Sequence, residues 1–186
     1  QELARGWKDH PETLPFLKQL AQSDDDSHVR RAAVQELARG WKDHPETLPI
    51  LKQRAQSDDD WAVRGAAVQE LARGWKDHPE TLPFLKQLAQ SDDNGKVRQA
   101  AVKEIARRWK DDPELFELLC EVAINHPFDR KYQWQDNPRQ AALAATIELY
   151  PDRPQTLELV RDRAQNDSDD IFREFAQKEL AKLERQ

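Results

Sequence analysis

A string of fifteen residues, Gln-Glu-Leu-Ala-Arg-Gly-Trp-Lys-Asp-His-Pro-Glu-Thr-Leu-Pro, begins at Gln1 and returns unchanged at Gln35 and Gln69, a step of 34 each time. A looser copy begins at Lys103. Ala-Ala-Val at 32–34, 66–68 and 100–102 keeps the same step; Ala141-Ala142-Leu143 follows after 41 residues, which exposes an insertion of seven, and Phe175-Ala176-Gln177 resumes the step of 34. Such a period confines the chain to architectures in which each unit buries its apolar face only against its neighbours. The expected layout is one array over 1–186: a half-repeat at 1–22, repeats at about 23–56, 57–90, 91–124 and 125–165 with an insertion near 126–134, and a terminal half-repeat at 166–186. Because the chain opens inside a unit, a piece of a longer polypeptide is expected. A charged fraction of 34% and a net charge of -6 lean toward disorder on composition alone,. The periodicity overrides that lean, since a repeat array needs only a thin apolar layer.

Each unit reads as two helices. Leu14, Leu17, Leu20 and Ala21 share one face of the first,. Asp9-His10-Pro11-Glu12 has the order of a capping box. Pro15 means that this helix either starts later, capped by Thr13, or is kinked in its first turn. The second helix follows Asp24-Asp25-Asp26, whose carboxylates suit an N-cap and the positive end of the helix dipole. Val29, Ala33, Leu37 and Trp41 step by four along it, widened by Ala32 and Val34, while Arg31, Gln35 and Arg39 should face water. Gly40 and Pro45 place its end around Trp41-Lys42.

These residues resemble the HEAT repeat, in which an Asp in the turn within the repeat and an Arg early in the second helix recur. The matching pairs are Asp24 and Arg30, Asp58 and Arg64, Asp92 and Arg98, and Asp167 and Arg173. The resemblance implies that they form a ladder of hydrogen bonds and ion pairs running from repeat to repeat. In the fourth turn Arg139 is present but Asn125 and the insertion replace a clean Asp, so the ladder is expected to break there. A step of 34 also suits tetratricopeptide repeats, but their Trp-x2-Leu-Gly-x2-Tyr order is missing. The expected fold is therefore all-α, an α-solenoid of about five HEAT-like two-helix repeats. Fold alone says little about function.

No catalytic, cofactor or metal motif appears. Asn94-Gly95-Lys96 lacks the flanking residues of a phosphate loop. His10, His44 and His78 lie one whole repeat apart, too far to share an ion, and read as helix-start residues. Cys120 sits among Leu118, Leu119 and Val122 and reads as a small buried hydrophobe. No apolar run is long enough to span a membrane. The expectation is a non-catalytic protein without cofactor, located in the cytoplasm.

Three features compete as a binding surface. Trp7, Trp41, Trp75 and Trp109 hold one register, joined by Tyr150 once the insertion is allowed for. They could stack bases or sugars, but they continue the Val29-Ala33-Leu37 stripe and are read as packing. Arg39, Arg73 and Arg107, with Arg5 and nearby lysines, could follow nucleic-acid phosphates. They also suit a solvated helix C-terminus, partly neutralised by Glu36 and Glu70. Trp61 and the insertion residues Phe128, Arg130, Lys131, Tyr132 and Trp134 break the repeat. Insertions in arrays map to loops on one face, often the binding face, and Trp, Tyr and Arg are enriched at hot spots. The loop either binds a partner or folds back over its neighbours.

The reading that follows is a protein-interaction or ligand-sensing scaffold with a protein or peptide partner, nucleic acid being the alternative. The near-identical units and the Gly-Trp-Lys-Asp stretch resemble the arrays that follow NACHT-type signal-transducing ATPase domains in bacteria, notably cyanobacteria. That resemblance implies a sensor module without activity of its own. HEAT-like DNA-repair glycosylases and bilin lyases are further classes, the first opposed by the negative charge and the second little supported by Cys120.

Overall fold

The turn that joins the two helices of a repeat is built by its acidic residues. Asp58 accepts a hydrogen bond from the Asp60 amide at 3.0 Å, and Asp60 accepts one from the Ala62 amide at 2.7 Å. The same relay runs through Asp24 and Asp26, through Asp92 and Asn94, and through Asp167 and Asp169. The first residue of each pair caps the C-terminus of one helix and the second caps the N-terminus of the next. Two short polar side chains thus reverse the chain within three residues.

The computed structural model describes residues 10–133 and 135–185. Among them the secondary structure is helical: α1 (Thr13–Ser23), α2 (Ser27–Gly40), α3 (Thr47–Ser57), α4 (Trp61–Gly74), α5 (Thr81–Ser91), α6 (Gly95–Arg108), α7 (Leu115–Asn125), α8 (Pro138–Leu149), α9 (Pro154–Asn166) and α10 (Asp170–Leu183). The first helix of a repeat has 11 residues and the second 14 in units one to three. Packing divides the chain into two compact units, 1–104 and 105–186, the boundary falling inside α6.

In the first unit α1 pairs with α2 and α3 with α4, and α2 lies against α4. The core is thin and rich in alanine: Ala21, Ala55 and Ala89 on the first helices, Ala33, Val34 and Leu37 with Ala67, Val68 and Leu71 on the second. Small side chains there let neighbouring helices approach closely, so little apolar mass is needed per repeat. Arg31 and Arg39 are exposed as the stripe requires, while Gln35 is half-buried. In the second unit α7 pairs with α8 and α9 with α10, around Leu115, Leu119, Leu143, Val160 and Phe172.

Helix starts differ from the expected capping box. Asp9 lies outside the described residues, and Glu12, Glu46 and Glu80 occupy the N-cap position without a side-chain cap. Instead the Glu46 and Glu80 amides donate to Nδ1 of His44 and His78 at 3.3 and 3.4 Å. Asp112 does the same for Glu114 in the fourth unit. The helix begins at Thr13, which makes Pro15 its third residue. A first-turn amide has no acceptor inside the helix, so the proline costs no hydrogen bond and no kink is needed.

The ladder links one repeat to the next. Arg30 places Nε and Nη2 on both carboxylate oxygens of Asp58, at 3.0 and 2.8 Å, and Nη1 on the Asp24 carbonyl at 2.8 Å. Arg64 repeats the fork on Asp92, at 3.0 Å for both contacts, with Nη1 on the Asp58 carbonyl. In the second unit Arg139 reaches Asp167 at 2.9 Å. Burial opposes charge on Asp58, but the Arg30 fork and the Asp60 amide outweigh it and hold the carboxyl below its usual range. Counting 34 on from Asp92 puts His126, not Asn125, at the acceptor position, and His126 is the C-cap of α7. Arg98 bonds the Asp92 carbonyl while its Nε is buried without a hydrogen-bond partner, and burial lowers its pKa.

Arg64→Met and Arg98→Met should therefore separate in urea unfolding. Removing Arg64 strands the buried Asp92 carboxylate and should cost about 3–5 kcal/mol. Removing Arg98 also removes an unsatisfied buried Nε, so the loss should stay near 1 kcal/mol or below; equal losses would refute the ladder account.

Candidate functional site

The insertion is the one segment where the repeat rule fails, and it is organised by its own arginine. Helix α8 starts late, at Pro138, with Asn137 as its N-cap accepting from the Arg139 amide. Residues 126–133, 135 and 136 are thereby left outside the helices. Arg130 Nε lies 2.9 and 3.0 Å from the two carboxylate oxygens of Asp169, and Nη2 lies 2.8 Å from one of them. Its Nη1 donates to the carbonyls of Gln133 at 3.2 Å and Gln135 at 2.5 Å. The Gln135 side-chain oxygen accepts from the amides of Lys131 and Tyr132. One guanidinium thus closes the loop on itself and ties it to the start of α10.

Asp169 is the hub. It caps α10 through the Ile171 and Phe172 amides and accepts from the Asn137 amide group at 2.8 Å as well as from Arg130. Burial disfavours its charge, yet the Arg130 and Asn137 bonds keep its carboxyl below the ordinary range. Phe128 lies beneath Arg130, with the guanidinium carbon 5.3 Å from the ring centroid.

The insertion residues named from the sequence therefore divide. Arg130 is a tether with its donors committed, and Phe128 is half-buried. Lys131 and Tyr132 are exposed, Tyr132 at 58%. Trp134 lies outside the described residues, as does Trp7. In the first unit Trp61, the first residue of α4, is 42% exposed, with Lys96 Nζ 4.6 Å from its ring centroid. Ile171, 37% exposed near the start of α10, was missed by the sequence reading. Its signal was an isoleucine two places past an N-cap, where Ala62 and Lys96 stand in other repeats.

The register tryptophans are half-buried C-caps. Trp41 and Trp75 have extended-side φ values of -130° and -125°, and the Trp41 carbonyl accepts from the Thr47 hydroxyl at 2.7 Å. Trp109 is likewise half-buried. Tyr150 takes their place on α8, meeting Phe116 edge-on at 5.2 Å with Arg153 over both rings. Two cations of the second helices share one carboxylate. Arg39 and Arg73 both bind the buried Glu70, Arg39 at 3.2 Å; Arg107 is exposed. Burial and Glu117 raise the Cys120 thiol above its ordinary range, which disfavours the reactive thiolate,. Among the described residues no carboxylate, imidazole and thiol cluster could hold a metal, and no helix is long and apolar enough to cross a membrane.

Paired antiparallel helices repeated at a fixed step and joined by an Asp–Arg ladder define an α-solenoid of helical repeats,. A family model described as HEAT repeats matches residues 1–72 and 55–135, and the chain belongs to that family. Comparison with curated proteins and with solved structures gave no match. HEAT repeats commonly serve as protein-interaction scaffolds.

Two outcomes test the geometry. Arg130→Met should cost about 2 kcal/mol in urea unfolding, the scale of hydrogen bonds to a charged group, and should speed amide exchange at Lys131 and Tyr132, whereas Tyr132→Ala should cost less than about 0.5 kcal/mol. Asp58, Asp60 and Asp169 all have folded pKa values below the ordinary one. Their stabilisation is full above the unfolded value of about 3.9 and is lost as pH falls through the lower folded values. Thermal midpoints should be flat from neutral pH to about 5 and drop below about 4; a midpoint that rose on acidification would contradict the carboxylate account.

Proposed function

We propose that this chain is a non-catalytic protein-interaction scaffold whose contact edge is the turn between the two helices of a repeat, used through Trp61 in the first unit and through the insertion in the second. The observation that carries this is exposure of large apolar groups at that turn. Trp61, Tyr132 and Ile171 stand in water at positions where the repeat rule asks for nothing apolar. A large apolar group that stays partly in water costs solubility, whereas a partner would bury the rest of it with a gain per residue. The tethering of the insertion by Arg130 adds rigidity, which lowers the ordering cost of association.

The nucleic-acid reading is disfavoured by the net charge of -6 and by the sharing of Glu70 between Arg39 and Arg73, which halves the positive charge those two present to phosphate,. A narrower version of the scaffold reading is a cytoplasmic sensor module of a NACHT-type signalling ATPase. It is supported by the near-identical repeats and the Gly-Trp-Lys-Asp stretch. A phosphate-binding loop elsewhere in the same polypeptide would carry that version further.

Affinity capture with the wild-type chain, Trp61→Ala and Tyr132→Ala tests the contact edge. The expected result is a defined partner whose recovery falls at least several-fold in one or both variants while helical circular dichroism is unchanged. Recovery identical across all three proteins would overturn the assignment.

A further inference from the structure

A cleft of about 380 Å³ lies between the insertion and the start of α10, lined by Phe128, Asp129, Arg130 and Gln133 on one side and by residues 168–171 on the other. Its volume falls at the small end of ligand-binding clefts, which run from about 300 to 1,000 Å³. The walls are held in place by bonds already described. Arg130 bridges both sides through Asp169, and Gln135 fixes the backbone at 131 and 132.

The charge of the lining is asymmetric. Three carboxylates, Asp129, Asp169 and Asp170, face one guanidinium, that of Arg130. Asp169 is committed to Arg130 and Asn137, and Asp170 to Arg173. Asp129 is exposed and has no ion-pair partner among the described residues. An anionic occupant would meet this excess of carboxylates, and the amides at the start of α10 are already used by Asp169. Beside the polar Gln133 and Ser168, the lining carries the apolar side chains of half-buried Phe128 and exposed Ile171. An apolar wall beside an uncommitted carboxylate complements a side chain with a long hydrocarbon stem and a cationic head.

We propose that this cleft receives an arginine or lysine side chain from an extended partner peptide, with Asp129 opposite the cationic head and Phe128 and Ile171 against the stem. The inference rests on the protein-interaction reading of the insertion and specifies the chemistry of the partner. An anionic cleft on a chain of net charge -6 also draws basic segments toward it over longer range,.

The experiment is a nuclear magnetic resonance titration of the full chain with three capped tripeptides, acetyl-Ala-X-Ala-amide, where X is arginine, lysine or citrulline. Citrulline keeps the size and shape of arginine but loses the charge and carries a carbonyl acceptor where arginine has an NH2 donor. The expected result is saturable shifts at Phe128, Gln133 and Ile171 with the two cationic peptides, and binding about tenfold weaker both for citrulline and in Asp129→Asn. The exposed position of Asp129 makes that variant foldable, and circular dichroism checks it. Equal binding of citrulline, binding unchanged in Asp129→Asn, or no shifts at all would overturn the proposal. If the peptides fail while partner capture still depends on Tyr132, the cleft assignment falls and the scaffold reading stands. If capture is indifferent to Trp61 and Tyr132 while the peptides bind, the contact edge falls and the cleft stands.

Discussion

The structure depends on a carboxylate that serves two chains of bonds at once. Asp58 and Asp92 each close their own turn by accepting a backbone amide, and each also accepts the forked guanidinium of the preceding repeat. Reversal of the chain within one repeat is thereby coupled to its register with the next. A buried ion pair is weak evidence of net stability, because desolvation offsets the attraction. Its geometric demand is severe, however. A planar fork must meet two oxygens in one orientation, so the pair specifies how far one repeat is displaced from its neighbour even where it adds little free energy. The alanine-rich core could tolerate sliding; the forks do not.

The same chemistry is reused where the repeat is interrupted. The Asp position of the fourth turn carries His126, and seven added residues follow. The insertion brings its own arginine, and Arg130 forks onto Asp169, which in its own repeat is the N-cap of α10 and not the ladder residue, Asp167. Asp169 and Asp167 sit two residues apart, each holding a guanidinium from a different element. The second unit therefore carries one pairing of the repeat type and one supplied by the insertion. That second pairing fixes a loop that has no repeat neighbours to hold it.

Much of this was legible in the sequence, for a physical reason. A period of 34 with Ala-Ala-Val, Asp and Arg at constant offsets specifies helix faces, turns and ladder partners, because every repeat meets the same neighbours. The HEAT resemblance implies a ladder through these Asp and Arg positions, and the structure assigns its partners, Arg30 to Asp58 and Arg64 to Asp92. The N-terminal capping box was misread because an Asp-x-x-Glu order does not say which amide lacks an acceptor; His44 and His78 satisfy the Glu46 and Glu80 amides from two residues away. The insertion resisted reading for the opposite reason. It has no period, and the partner of Arg130 lies 39 residues on, at an aspartate whose capping role already accounted for it.

That contrast bears on where recognition can reside in such an array. A residue at a repeated offset meets the same neighbours in each repeat, as do the half-buried C-caps Trp41 and Trp75 and the arginines at 39 and 73 that share Glu70. Changing one of them perturbs an interface between repeats. Trp61, Tyr132 and Ile171 differ from the residues of the other repeats or fall in the insertion, and the proposed contact edge draws on them for that reason. In a fold built from copies, a change at an uncopied position leaves the contacts between repeats in place.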